Sequence, residues 1–200
     1  MKRIFKKLFL MVIVFSILTS NVQPIYAASD TYVNNYKWNK SVVNVYIDST
    51  PYMNGASSQD YLMWKLDIQW MISRWNTFLE VYGLNLRFNE VNNLSSADTI
   101  IKYGVSSSWA NVSVQTSGTT ITKATVILDD WDFFNYNLTD EIIQRIVVHE
   151  LGHVLGLKDI APTTAENNSI FSVMVNDVTG SANFEEFPTE FDFNNLKKLY

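Results

Sequence analysis

Apolar residues recur at helical spacing in two stretches of the chain and alternate with polar ones in several others. Between Ser57 and Tyr82, the residues Trp64, Ile68, Met71, Trp75 and Phe78 fall at steps of four, three, four and three. That rhythm puts all five on one face of a long helix. An aromatic stripe of this kind is core far more often than ligand site, and it is read as core. Gly83 ends the helix, because glycine takes the left-handed conformation that helix termini use. A second rhythm joins Ile142, Ile146, His149 and His153 at steps of four, three and four. Its helix starts near Asn137 or Thr139. Either can cap it, and Asp140 and Glu141 suit the positive end of its dipole. Gly156 stops this helix by the same left-handed turn, and the chain changes direction there.

Strands show as alternation. Val43, Val45 and Ile47 alternate with Asn44 and Tyr46, which predicts a first strand. Leu84, Leu86 and Phe88 alternate with Asn85, Arg87 and Asn89, a second strand with one wet face. Thr99 to Tyr103 and Ala124 to Asp129 are two further strands. Residues 105 to 123 are rich in Ser and Thr and read as a long surface loop, with a short strand around Asn111 to Gln115. Another loop follows Gly156 to about Pro188. Within it, Ala161 to Ser169, with Pro-Thr-Thr and Asn-Asn, does not read as helical. Thr189 and Asp192 have the spacing of a capping box for a last helix, with Phe193, Leu196 and Leu199 or Tyr200 on its inner face. The elements predict an α+β fold: a twisted, mixed sheet, two long helices and a C-terminal helix.

Composition changes this picture at one end. Met1 to Lys7 carries four bases and no acid, Leu8 to Leu18 is almost entirely apolar, and polar residues lead to Ile25-Tyr26-Ala27. This is the layout of a secretory signal peptide cut after Ala27. The alternative is an uncleaved anchor, but the run falls short of the ~20 residues a spanning helix needs. Residues 1–27 are therefore expected to be a signal peptide and 28–200 a single domain, secreted and monomeric. Removing the four bases takes the formal charge from −5 to about −9. A chain so acidic is a poor partner for nucleic acid or an anionic membrane. It has no cysteine, which excludes disulfides, a catalytic thiol and thiolate metal ligation.

The candidate chemistry is concentrated in one place. The chain has two histidines, and both lie in His149-Glu150-Leu151-Gly152-His153-Val154-Leu155-Gly156-Leu157-Lys158-Asp159. Residues four apart on a helix stack one above the other, so His149 and His153 can reach one zinc ion. Glu150 lies one step round the helix. It can contact a zinc-bound water, take its proton as the water attacks a carbonyl, and pass it to the leaving amine. Catalytic zinc needs a third protein ligand. The turn at Gly156 brings the chain back so that Asp159 can supply it.

His149-Glu150-x-x-His153-x-x-Gly156-x-x-Asp159 resembles the extended zinc motif of the metzincin metallopeptidases. Most of these have a third histidine at the last position, whereas snapalysin-type secreted proteases have aspartate. Ser172-Val173-Met174 resembles the Met-turn of that clan, which places Met174 beneath the zinc as a packing floor. The matrixin branch is the nearest likeness elsewhere. It is carried by Tyr36-Lys37-Trp38-Asn39, Trp75, Ala97-Asp98 and Asp192 with Leu199-Tyr200, and covers roughly residues 36–200. The resemblance implies a metzincin-like zincin fold and a secreted zinc endopeptidase. Its catalytic base would be Glu150, its metal ligands His149, His153 and Asp159, and its supporting residues Gly156 and Met174. A protein or peptide would be the substrate, extended along a sheet edge. Ala124 to Asp129 is the expected edge, and Val175 to Phe187, with Phe184 and Phe187, the expected wall of the side-chain pocket.

The departures carry information. Val175-Asn176 follows Met174 in place of Tyr-Pro, so no tyrosine ligand is carried over. The loop after the third strand has no histidine or acid, so no second zinc is expected. Calcium is possible at Asp129, Asp130 and Asp132 but unsupported, since such a run is more often a turn or helix cap. The short stretch before residue 36 leaves no room for a folded prodomain. Other readings remain open. The histidines can be satisfied core residues, Met174 ordinary core, and Asp159 a surface residue with Glu166 as third ligand, as in gluzincins. The protein can also be a secreted binding or toxin-like module on the same scaffold, or a zinc hydrolase acting on something other than protein.

Overall fold

In the computed structural model of the chain, residues 31–50, 57–177 and 183–200 are described. The expected signal peptide lies outside them. Strand β1 (Val42–Asp48) buries Val43, Val45 and Ile47 and turns the intervening residues outward. Helix α1 (Ser58–Val81) follows. Ser57 caps it through a reciprocal pair: Asp60 N–H donates to Ser57 Oγ at 3.2 Å, and Ser57 N–H donates to the Asp60 carboxylate at 2.6 Å. This satisfies two backbone donors that the helix cannot pair internally. All five residues of the predicted stripe are buried. The opposite face also carries apolar residues, Leu62, Leu66 and Trp70, and these are exposed.

Strands β2 (Arg87–Glu90), β3 (Thr99–Gly104), β4 (Ala110–Ser117) and β5 (Thr120–Asp129) complete a five-stranded sheet in the order β2-β1-β3-β5-β4. The four strands β2, β1, β3 and β5 are parallel, and β4 runs antiparallel to β5. After the sheet come α2 (Asp130–Asn135), α3 (Asp140–Val154), α4 (Pro162–Asn168) and α5 (Glu190–Leu196). The fold is α+β with a mixed sheet, two long helices and a C-terminal helix. Among the described residues, no helix is long and apolar enough to cross a membrane.

Four expectations need correction. The segment read as a surface loop is mostly a hairpin: the short strand expected around Asn111 to Gln115 is the middle of the longer β4, and β4 and β5 are joined at Gly118 (φ +60°) and Thr119. A positive φ at the first of two loop residues is what a type II′ turn uses. Second, residues 124–129 are not a sheet edge, because β5 is enclosed between β3 and β4; among the described residues the edge strands are β2 and β4. Third, Ala161 to Ser169 contains a helix. Pro162 starts it with a preset φ, Ser169 ends it in the left-handed region (φ 52°), and Ala165 alone is fully buried. Fourth, α5 buries Phe191, Asp192, Asn195 and Leu196. Phe193 lies to one side, its ring 4.6 Å from that of Tyr82.

Helices α1 and α3 lie side by side. Trp75 Nε1–H donates to Val148 O at 3.0 Å, and Gln144 Nε2–H donates to Asp67 Oδ1 at 2.7 Å. Trp75 has no exposed surface, so it couples core packing to the position of the histidine helix. Replacing Trp75 by Phe removes that hydrogen bond and part of the buried ring. The variant is expected to lose about 1–3 kcal/mol of stability in urea unfolding.

Candidate metal centre

Helix α3 begins at Thr139, whose hydroxyl accepts from Ile142 N–H, with Asp140 and Glu141 in the first turn. Both acids suit the positive end of the dipole. Ten and fourteen residues on, the helix presents His149 and His153, their rings 4.7 Å apart between centroids. Leu155 closes the helix, and Gly156 turns the chain at φ +99°. A side chain at 156 is excluded by conformation and by space, since a Cβ would come within 2.9 Å of both Tyr36 O and Leu199 Cδ1.

The turn sends residues 157–160 back past the helix. Lys158 N–H donates to Tyr32 O at 3.0 Å and Ile160 N–H to Met174 O at 2.8 Å. Between these anchors, Asp159 Oδ1 lies 3.0 Å from His149 Nε2 and 3.2 Å from His153 Nε2. The three side chains form a group able to hold a metal ion, with ligand atoms all within 4.8 Å of one another. The far sides of the rings are engaged, His149 Nδ1 with Val173 O at 2.9 Å and His153 Nδ1 with Leu157 O at 3.0 Å. With Nδ1–H donated to a carbonyl, each ring turns Nε2 toward the shared point, and an Nε2 that gives up its proton to bind a metal has the tautomer that ligation requires. Two imidazoles and one carboxylate are a donor set that zinc accepts. Ligands about 2.0–2.1 Å from a tetrahedral zinc lie about 3.3 Å from each other, close to the observed separations.

Charge is balanced within the group. Hydrogen bonds from His149 and then His153 hold the Asp159 carboxyl well below the usual range, against the opposing effect of burial. Burial works against a charged His153, but the hydrogen bond to Asp159 and the nearby carboxylates outweigh it and raise its pKa. Glu150 is 7% exposed. Burial raises its carboxyl above the ordinary value, and the two histidines offset part of that rise.

The floor of the site is built from below. Met174 is fully buried, and its sulfur lies where a side chain at Gly152 would begin, with Trp75 close behind. Local spacing gives Gly152 no role. The contact that requires it joins residues far apart in the chain and leaves no signal in local spacing. Met174 sits in a turn braced by α5. Ser172 Oγ donates to Asp192 Oδ1 at 2.5 Å and accepts from Met174 N–H at 2.9 Å, while Thr189 N–H donates to Asp192 Oδ2 at 2.8 Å. The capping residue of the last helix thus holds the turn whose Val173 carbonyl orients His149. Burial pushes the Asp192 carboxyl up to about 6.

Two adjoining pockets form a cleft along β4. One, of about 390 Å³, is lined by Tyr36, Val112, Val114, His153 and Asp159 among others. The second, of about 300 Å³, is lined by Trp109, Ile146 and Asp177. Ser108, Ala110, His149, Glu150 and Asn176 border both. Of the expected pocket wall, Asn176 and Asp177 take part, whereas Phe184 and Phe187 line neither pocket, and residues 178–182 are outside the described set. Glu166 is exposed on α4 and is not in the ligand group. Asp129 caps α2, accepting from Asp132 N–H and Ser106 N–H, and Asp130 accepts from Tyr61 OH. This is the helix-cap arrangement.

No family model matches the chain, and no curated protein matches it. Among solved structures it is similar to a structure of myroilysin, with 14% sequence identity and a TM-score of 0.44, over 84% of this chain and 97% of that one.

Two outcomes follow from the floor of the site. Gly152→Ala must displace Met174, and it is expected to cost about 1–3 kcal/mol in thermal or urea unfolding. The second outcome depends on pH. Because the pKa of Asp192 is raised from 3.8 to about 6, the folded chain holds this proton more tightly than the unfolded one. Its contribution to stability therefore falls as pH rises through that window and is level above it. Asp192→Asn lacks the group, so the variant should gain stability relative to wild type between about pH 4 and 6. Urea titrations at pH 4, 5, 6 and 7 read this difference, and a flat difference contradicts it.

Proposed function

We propose that the chain is a secreted zinc endopeptidase, a metzincin-type, matrixin-like catalytic domain with aspartate as its third metal ligand. The observation that carries this reading is the convergence of His149 Nε2, His153 Nε2 and Asp159 Oδ1 beside the buried carboxyl of Glu150. The cleft that holds them follows a free strand edge. The basic and then apolar N-terminal segment supports export.

Zinc held by these three residues would polarise a peptide carbonyl and acidify a water molecule. The chain's own groups do the rest. The Val173 and Leu157 carbonyls keep both imidazoles turned with Nε2 toward the shared point. Asp159, with its depressed pKa, stays anionic and supplies an oxygen donor. Glu150 is on the same helix but one step round from the histidines, so it borders the cleft without joining the ligand group. Its raised pKa suits a group that accepts a proton from water and returns it to the departing amine. An extended peptide can pair with β4 as an added strand, which lays its backbone across the site.

Glu150→Gln should keep zinc and lose cleavage by about 10²–10⁴-fold, read by casein or peptide hydrolysis alongside metal analysis. A variant that cleaves like wild type contradicts the assignment of Glu150. Asp159→Ala should lose zinc or most activity, and retention of both moves the third ligand elsewhere. Activity of the wild type should disappear with a zinc chelator and return on adding zinc.

A further inference from the structure

We propose that the outer ridge of α1 docks an amphipathic helix of a partner protein, with Arg74 receiving a carboxylate of that helix. The ridge lies outside both pockets of the cleft, and the proposal does not depend on the peptidase reading.

Helix α1 is apolar on two sides. One side is the buried stripe that ends at Phe78. On the other, Leu62, Leu66, Trp70 and Arg74 fall at steps of four, which places them in one row, about 18 Å long at 1.5 Å per residue. Met63 flanks the row. Leu62, Met63, Leu66 and Trp70 are each between 40% and 51% exposed. The solvent face of a surface helix is ordinarily polar, and large apolar side chains grouped on it mark a contact surface.

Arg74 sets the chemistry of the occupant. Its guanidinium carbon lies 4.2 Å from the centroid of the Trp70 ring and 4.5 Å from that of Phe187. Phe187 lines neither pocket of the cleft and is exposed. Stacking on these rings fixes the plane of the guanidinium and leaves its in-plane N–H groups for another partner. Among the described residues none accepts a hydrogen bond from Arg74 or forms an ion pair with it, and its Nε is buried without an acceptor. A positioned guanidinium with unused donors is matched by a carboxylate, which it can hold through two parallel hydrogen bonds.

Three occupants compete for such a face. A second copy of this chain would bring apolar side chains, but the row contains no acid to meet Arg74. An anionic membrane is disfavoured by the formal charge of −5. A partner helix satisfies both requirements. Side chains four apart form the ridges by which helices interlock, and an amphipathic helix presents its apolar residues at that spacing. The occupant that fits has an apolar face with Asp or Glu at the end that meets Arg74.

The test uses the full chain carrying Glu150→Gln, so that probes stay whole, with their integrity checked by mass spectrometry. It is panned against a displayed library of amphipathic helical peptides whose apolar positions vary among Leu, Ile, Phe and Met, and whose flanking position varies among Glu, Asp, Gln and Lys. The expected result is enrichment of Glu and Asp at the flanking position. The best acidic peptide should bind roughly tenfold tighter than its Gln analogue, the size expected for a charge-assisted hydrogen bond, and the Lys analogue should bind weakest. Arg74→Gln should abolish the difference between Glu and Gln, and Arg74→Glu should reverse the order so that Lys binds best. Leu66→Gln should weaken all three peptides alike. Melting temperatures establish that each variant is folded, and the comparison of the three peptides on the unaltered ridge needs no variant there. Absence of any binder overturns the proposal, as does equal binding of the three peptides or an acidic preference that Arg74→Gln retains. Arg74-dependent binding to phosphatidylglycerol vesicles without peptide binding overturns it in favour of a lipid surface. Arg74-dependent dimerisation without peptide binding overturns it in favour of a second copy.

Discussion

A helix can offer two imidazoles to one point, but a third ligand has to come from chain that has left the helix and returned. Gly156 makes that return possible. Its φ of +99° is open to glycine and strained for other residues. Its surroundings also leave no room for a side chain, because the N-terminal segment and the last residues of the chain close in on it. Asn34 N–H donates to Gly156 O at 2.8 Å, Trp38 Nε1–H to Val154 O at 2.9 Å, and Tyr200 OH to Leu155 O at 3.1 Å. The two ends of the folded region are thus fastened to the turn that delivers Asp159. Disturbing any of them bears on the site through that turn.

The second support comes from beneath. The absence of a side chain at Gly152 lets Met174 lie against α3. The turn carrying Met174 also carries the Val173 carbonyl that orients His149, and Asp192 braces this turn from α5. The three side chains that could hold a metal are therefore kept in orientation by groups on separate segments. Such outer contacts decide whether a constellation is held tightly enough to act. The same turn runs on to Asn176 and Asp177 in the cleft, so metal geometry and pocket shape share one piece of backbone.

Much of this was readable from spacing. The stripe on α1, the capping box at Thr189, and the positive φ of Gly83 and Gly156 all follow local rules, and the structure has each of them. The convergence of His149, His153 and Asp159 was legible for the same reason, because eleven consecutive residues encode it. What was missed has little local signal. Strand β4 was seen only in its middle, around Asn111 to Gln115, because its ends are polar and mostly exposed and carry no apolar alternation to extend it. Helix α4 is two turns long and buries only Ala165, and its Pro and Asn residues read as turn chemistry. Gly152 and the bracing role of Asp192 depend on contacts between distant segments, which no periodicity carries.

The central claim is that a single zinc ion is held by His149, His153 and Asp159. Anomalous diffraction at the zinc edge, from crystals of the chain grown with zinc, tests it most directly. The account predicts one peak about 2.0–2.1 Å from both Nε2 atoms and from an Asp159 carboxylate oxygen. A peak whose third protein ligand is another residue, such as Glu166, or no peak between the two histidines, would contradict it.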